Sequence, residues 1–143
     1  MSSESSALPV TGRCYCGKTS FRAEAGPASV AYCHCSDCRR VTGAPVAAFA
    51  AFENTAVTFS PDEGRAVSIT AGVTRTFCET CGSPLSGRYD YLPDTIFIAV
   101  GLLDQADAFP PELHAHASNR LVWLHIDDEL ERHAKSARSR LNR

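Results

Sequence analysis

The sequence has no apolar run that approaches the length of a membrane span, and its opening residues, MSSESSALPV, lack the basic and apolar stretches of a secretory signal. Its formal net charge of −2 gives no indication of nucleic-acid binding. These absences argue against a membrane protein, a secreted protein and a nucleic-acid-binding protein. We therefore expect a cytoplasmic location.

The chain is long enough to form one domain with its own hydrophobic core. It has 143 residues, of which 44% are apolar, and a fold of about this size buries roughly 68% of the surface that the unfolded chain exposes. The sequence contains no internal repeat and no linker that would separate two domains. We expect a flexible lead-in over residues 1–9, one domain over residues 10–130 and a basic tail over residues 131–143.

Short apolar segments separated by Gly, Pro, Asp and Asn predict a mainly β fold. Their spacing favours an open antiparallel sandwich or barrel over βαβ units. The stretch SITAGVTRTF predicts a hairpin that turns at Ala71 and Gly72. Trp123, in the last of the predicted strands, is expected in the core. The predicted strands cover residues 19–25, 45–52, 56–60, 66–70, 73–78, 95–100 and 120–126.

Only two helices are expected. The first is a short turn over residues 36–41 that carries Cys38. The second is the C-terminal helix, which begins near Asp128, where Glu131 three residues later resembles a capping box and apolar residues recur on one face. The basic residues of this helix could contact an acidic partner or a neighbouring subunit, although a solvated helix surface is the simpler interpretation.

The seven cysteines are the most informative feature of the sequence. Because no secretory signal is present and the number is odd, metal ligation explains them better than a disulfide framework. Thiolates two or three residues apart on a tight turn can reach one ion at about 2.3 Å. Gly17 and Gly82 directly follow two of the clusters and accept the left-handed backbone that turns amides towards sulfur. The clusters are the CxC pair Cys14 and Cys16, the CxCxxC cluster Cys33, Cys35 and Cys38, and the CxxC pair Cys78 and Cys81.

These cysteines can be divided between metal sites in two ways. A structural zinc site has four protein ligands, whereas a catalytic site has three and keeps one position open. In one division the CxC and CxxC pairs share an ion and the CxCxxC cluster forms an open site. In the other, Cys35 and Cys38 join the CxxC pair as a zinc ribbon, which leaves Cys33 and the CxC pair as buried or redox-active thiols. Spacing alone barely separates the two, although the density of CHCSDC favours the first.

Several stretches together resemble one protein family: GRCYCG (12–17), YCHCSDCRRVTGAPVAAF (32–49), FCETCGSPL (77–85), GLLD (101–104) and the tail positions Pro111, His114 and Trp123. They are similar to the glutathione-dependent formaldehyde-activating enzyme (GFA) family, also called the centromere-protein-V domain. The resemblance covers residues 12–130 and implies an all-β, zinc-stabilised fold like that of the Mss4 nucleotide-exchange factor. It also implies two zinc ions per chain, a structural one on the CxC and CxxC pairs and a catalytic one on Cys33, Cys35 and Cys38.

The activity that the resemblance implies is that of a carbon-sulfur lyase. The family is named for the condensation of formaldehyde with glutathione to S-hydroxymethylglutathione, so the expected partner is a small thiol-aldehyde adduct, with glutathione as a candidate thiol. The ligand set agrees, because three thiolates make zinc a poorer Lewis acid than three neutral histidines and suit it to holding a thiol. The HxE and PCxxC pair of zinc deaminases is absent. The alternative function is a non-catalytic zinc scaffold that binds a protein partner.

Five further polar residues lie near these motifs, and four of them have two interpretations each. Arg39 and Arg40 could lower thiolate pKa values or bind a substrate carboxylate, or they could form a surface pair. His34 lies between two ligands and is expected to point away from the ion. His114 and His116 are expected to be hydrogen-bonded or exposed, with a fourth ligand or a general base as the alternative.

Overall fold

The computed structural model describes residues 8–141, which form a mainly β fold of eleven strands in two sheets. Residues 1–7 of the predicted lead-in lie outside the described residues. In chain order, the strands are β1 (Val10–Arg13), β2 (Ser20–Ala23), β3 (Ser29–Cys33), β4 (Ala47–Glu53), β5 (Val57–Ser60), β6 (Arg65–Val67), β7 (Val73–Phe77), β8 (Pro84–Tyr89), β9 (Thr95–Ala99), β10 (Leu113–Ala115) and β11 (Glu131–Arg132), and the α-helix α1 is Ser36–Thr42. The small sheet has the order β1-β2-β5 and the large sheet the order β11-β10-β3-β4-β9-β8-β7-β6. Neither sheet closes on itself, so the predicted open, mainly β architecture is confirmed.

The strands are short, and neighbouring strands are mostly antiparallel. The exception is β10, which pairs in parallel with both β3 and β11.

The hydrophobic core lies between the small sheet and the middle of the large sheet. Alternate residues of the strands point inwards, as in β9, where Ile96 and Ile98 are fully buried. Phe21 of β2 and Phe52 of β4 meet them from the two sheets. Each of these side chains stabilises the fold by about 1.5–3 kcal/mol through burial. The core therefore fixes β3 and β4, the strands on which the candidate site is built.

Most of the predicted secondary structure is confirmed. The first six predicted strands overlap β2, β4, β5, β6, β7 and β9, and α1 confirms the short helical turn predicted over residues 36–41. The predicted hairpin is present between β6 and β7, and Gly72 has the left-handed φ of 79° that its turn requires. No helix in the part of the chain that the structure describes has the length and apolarity that a membrane crossing requires.

The strand predicted over residues 120–126 is wrong. This stretch is a turn followed by irregular chain, in which the Leu124 amide donates to the Leu121 carbonyl. Arg120 donates to the carbonyls of both leucines and holds the turn. Trp123 is 62% exposed, so the expectation of a core residue is also wrong. The alternating pattern does not produce a strand because β11 pairs with β10 at that edge of the sheet.

The predicted C-terminal helix does not form in the residues that the structure describes. Glu131 and Arg132 form β11, and only a single 3-10 turn follows, at Arg138–Arg140. The backbone groups of this stretch bond across to its neighbours, as in the His133 amide that donates to the His114 carbonyl at 2.8 Å. Short helices are marginal on their own, so pairing with β10 outweighs the helical pattern.

Candidate metal centres and the adjacent cavity

The seven cysteines are free thiols that form two separate groups. In each group the Sγ atoms lie within 4.8 Å of one another. The zinc-ribbon combination of Cys35 and Cys38 with the CxxC pair is not one of these groups. The four-cysteine group comprises Cys14, Cys16, Cys78 and Cys81, and the three-cysteine group comprises Cys33, Cys35 and Cys38.

The four-cysteine group is built from two similar turns at the ends of β1 and β7. The Gly17 amide donates to the Cys14 carbonyl at 3.1 Å, and the Gly82 amide donates to the Cys78 carbonyl at 2.7 Å. Both glycines have left-handed φ values, 83° and 81°, which an L side chain rarely adopts. The glycines noted in the sequence therefore shape both turns, and the turns bring distant cysteines together.

The geometry of the four-cysteine group fits a tetrahedral metal ion. Sulfur ligands at about 2.3 Å from a tetrahedral zinc lie about 3.8 Å from one another. The Sγ atom of Cys16 lies 3.6 Å from that of Cys14 and 3.8 Å from that of Cys78. The amides of Lys18 and Thr19 donate to Cys16 Sγ and Cys14 Sγ, each at 3.4 Å. Amide donors of this kind stabilise thiolates, so this group could hold a metal ion.

The three-cysteine group lies where β3 ends and α1 begins. Cys33 is the last residue of β3, Cys35 caps the helix and Cys38 lies in its first turn. The Cys38 amide donates to Cys35 Sγ at 3.3 Å, and the Sγ atoms of Cys33 and Cys35 are 3.4 Å apart. Gly43 ends the helix with a left-handed φ of 69°. A strand end and a single capped turn therefore aim three sulfur atoms at one point.

Three thiols this close cannot all ionise without a cation. Hydrogen bonding from Cys33 lowers the pKa of Cys35 to about 2, and the same contact raises the pKa of Cys33 to about 11. The pKa of Cys38 is raised by the same two neighbours. The first negative charge thus opposes the second and third. A metal ion would remove this repulsion, so the donor set of this group also fits a metal ion.

Arg75, which the sequence did not indicate, lies next to Cys38 of this group. Burial lowers the pKa of Arg75, but the neighbouring Tyr89 and Cys38 outweigh burial and raise it. Its guanidinium donates to the Tyr89 hydroxyl at 3.4 Å and lies 5.8 Å from the centre of that ring. The register of β7 against β8 places Arg75 opposite Gly87, two residues before Tyr89. This contact depends on strand register, so no local sequence motif marks it.

The two arginines that the sequence did indicate have other contacts. Arg39 is half-buried, and its Nε donates to the His34 carbonyl at 3.4 Å. Arg40 is exposed and lines a separate groove between α1 and the hairpin of β6 and β7. Neither side chain lines the cavity next to the three-cysteine group.

The histidines near the site belong to neither cysteine group. His34 is buried, with 1% exposure, and its Nε2 shares a hydrogen bond with His114 Nδ1 at 2.8 Å. His114 Nε2 donates to Asp128 Oδ2 at 3.0 Å. Burial, followed by the charge on His114, lowers the pKa of His34. His34 and His114 are therefore hydrogen-bonded core residues, whereas His116 lines the cavity beside the three-cysteine group.

A cavity of about 100 Å³ borders the three-cysteine group. Cys33 and Cys38 form part of its wall. Four aromatic side chains from β4, β8, β9 and the turn after β8 supply much of the rest, namely Phe49, Tyr89, Phe97 and Tyr91. Residues from the C-terminal segment, including Arg138, close the remaining side. A group of potential metal ligands at one end of an apolar cavity is typical of a small-molecule site.

Comparison with known proteins places this geometry in a family. The model of the glutathione-dependent formaldehyde-activating enzyme family matches residues 9–119, which include all seven cysteines. A crystal structure of a Rhodobacter sphaeroides protein has a similar fold, with a TM-score of 0.55 and 24% identity over 66% of this chain and 87% of that chain. No curated protein matches the sequence. On the family match and the cysteine pattern, the chain belongs to the glutathione-dependent formaldehyde-activating enzyme family.

Proposed function

We propose that this protein is a zinc-dependent carbon-sulfur lyase that forms or cleaves a thiol-aldehyde adduct at the three-cysteine group. The observation that carries the proposal is the contrast between the two groups. The four-cysteine group has a complete set of ligands, whereas the three-cysteine group has no fourth His, Cys, Asp or Glu ligand among residues 8–141. The three-cysteine group also borders the aromatic-lined cavity, so a substrate atom could reach its open side.

The residues of the two groups would have different roles. Cys14, Cys16, Cys78 and Cys81 would hold a structural zinc that joins the ends of β1 and β7. Cys33, Cys35 and Cys38 would hold a second zinc and act as the catalytic group. When bound there, zinc would supply the positive charge that holds an incoming thiol as a thiolate.

The proposed reaction is an addition that needs no oxidant and no further reactant. The thiol loses its proton, and its sulfur forms a bond to the aldehyde carbon. The carbonyl π electrons move to the oxygen, which gains a proton and becomes a hydroxyl. Cleavage is the reverse. The Arg75 guanidinium, next to Cys38, would stabilise negative charge on the three-cysteine group. The side chains of Phe49 and Phe97 would exclude water from the rest.

Glutathione is a candidate thiol because the matching family is named for it. Seven free cysteines need a reducing compartment to keep their thiols available for metal, which supports the proposed cytoplasmic location. The alternative, a non-catalytic zinc scaffold, would leave the cavity beside the three-cysteine group without a substrate.

The proposal can be tested by measuring adduct formation by NMR. Zinc-loaded protein is mixed with formaldehyde and one thiol at a time, and the exchange rate between free thiol and adduct is compared with the rate without protein. We expect acceleration that is lost in Cys35→Ser and kept in Arg22→Met, a control on the exposed face of β2. Failure of the protein to accelerate adduct formation with any thiol would favour the scaffold.

A further inference from the structure

The C-terminal segment, defined here as residues 128–141, lies beyond the family match and forms one side of the cavity. It is attached at several points. Asp128 accepts a hydrogen bond from the buried His114 at 3.0 Å, and β11 pairs with β10. The His116 amide then donates to the Lys135 carbonyl at 2.7 Å. These contacts hold the chain in place as it reaches the cavity.

The three arginines of this segment in the described residues differ in their ionic partners. Arg132 forms an ion pair with Asp128 at 2.9 Å. Arg140 forms ion pairs with Glu131 at 2.8 Å and Glu112 at 3.6 Å. Arg138 forms no ion pair with any acidic side chain within residues 8–141. The segment is therefore held by two of its arginines, and the third keeps its charge available.

Arg138 lies at the cavity. Its guanidinium carbon is 4.4 Å from the centre of the Tyr91 ring, which is within the range of a cation-π contact. Arg138 and Tyr91 line the same cavity as Cys33 and Cys38. The aromatic ring fixes the direction of the guanidinium and leaves its N–H donors free to bind a planar anion.

We propose that Arg138 binds the carboxylate of the substrate and so selects thiols that carry an acidic group. The inference rests on the proposed function, because the three-cysteine group would take the sulfur end of the same molecule. The cavity of about 100 Å³ is smaller than the roughly 150 Å³ that admits a benzene molecule, so its enclosed part suits a short mercapto acid. A longer acidic thiol would extend past Arg138 into solvent.

The first test compares short thiols that differ in charge. Zinc-loaded full-length protein is given formaldehyde with 3-mercaptopropionate or with the uncharged 2-mercaptoethanol, and kcat/KM is measured for each. Arg138→Met should reduce the ratio of the anionic to the neutral thiol by about tenfold or more, mainly through KM, because a charge-assisted hydrogen bond is lost. Arg138→Lys should restore part of this ratio. Arg40→Met removes the same charge near α1 but outside the cavity and should keep the wild-type ratio.

The second test measures binding without turnover. Butyrate has the length and charge of 3-mercaptopropionate but no thiol, and an NMR titration of the zinc-loaded protein reports its Kd. We expect Arg138→Met to weaken butyrate binding by about tenfold. If Arg138→Met loses butyrate binding but even the wild-type protein turns over no thiol, the anion site is supported and the proposed reaction is rejected. If the protein turns over thiols, but Arg138→Met changes neither the kcat/KM ratio of the anionic to the neutral thiol nor the Kd of butyrate, the inference is overturned. The proposed reaction would then still stand.

Discussion

Replacing Cys14 by serine is expected to destabilise the fold more than replacing Cys35, because the two cysteine groups close loops of very different length. The four-cysteine group joins segments that are far apart in the chain, as shown by Cys16 and Cys78, which are 62 positions apart. The three-cysteine group closes a loop of only about six residues between Cys33 and Cys38. A metal ion that holds these ligands constrains the unfolded chain as a cross-link does.

The difference can be estimated from loop length alone. A cross-link that closes the longer loop stabilises the fold by about 4 kcal/mol, and one that closes the shorter loop by about 2 kcal/mol. For a chain of this size, the difference of about 2 kcal/mol corresponds to a gap of about 4–8 °C in Tm. Metal binding to the four-cysteine group in the folded state alone adds to the destabilisation expected for Cys14→Ser.

Calorimetry of the zinc-loaded variants gives the required Tm values. The control is Cys16→Ser, because Cys16 is exposed whereas Cys14 is buried, although both belong to the four-cysteine group. If metal loss is the cause, Cys16→Ser should lower Tm about as much as Cys14→Ser. If Cys16→Ser leaves Tm unchanged, burial of Cys14 and not the metal stabilises this end of the fold. Equal losses in Cys14→Ser and Cys35→Ser would refute the division of roles.

Chelation, acid and core truncation test three other parts of the structure. A chelator should remove zinc first from the three-cysteine group and later from the four-cysteine group, and simultaneous release from both would contradict unequal sites. A hydrogen bond from His114 lowers the pKa of Asp128 to about 2, so the stability it contributes is complete above about pH 4 and is lost as pH falls towards 2. Acid titration should therefore affect Asp128→Asn less than the wild type over this range, and parallel curves would disprove the link. Ile96→Ala should cost about 2–5 kcal/mol in urea unfolding, and a cost below about 1 kcal/mol would place Ile96 outside the core.

The features that could be predicted from the sequence are those set by short spacing. CxC and CxxC pairs followed by glycine specify tight turns, and Gly17 and Gly82 have the left-handed backbone that this requires. Alternating segments such as TIFIAV predict strands because every second residue, here Ile96 and Ile98, points into the core. Local chemistry determines these elements, so one sequence is enough to predict them.

The features that the sequence did not reveal depend on contacts between distant segments. The helical pattern after Asp128 is outweighed by pairing of Glu131 and Arg132 with β10. The stretch around Trp123 pairs with neither sheet, because β11 occupies the edge of β10, so it remains a loop. Arg75 reaches Cys38 only through the register of β7 against β8. Propensity is a weak guide wherever tertiary pairing competes with it.

The cysteine groups and one side of the cavity wall come from different parts of the chain. All the cysteines lie within residues 9–119, the range of the family match, whereas Arg138 lies in the C-terminal segment beyond it. A chain could therefore keep both cysteine groups while changing the residue that we propose binds the substrate carboxylate. Since a fold does not fix the substrate and the residues that contact it do, the C-terminal segment is the part of this chain in which thiol preference should be sought.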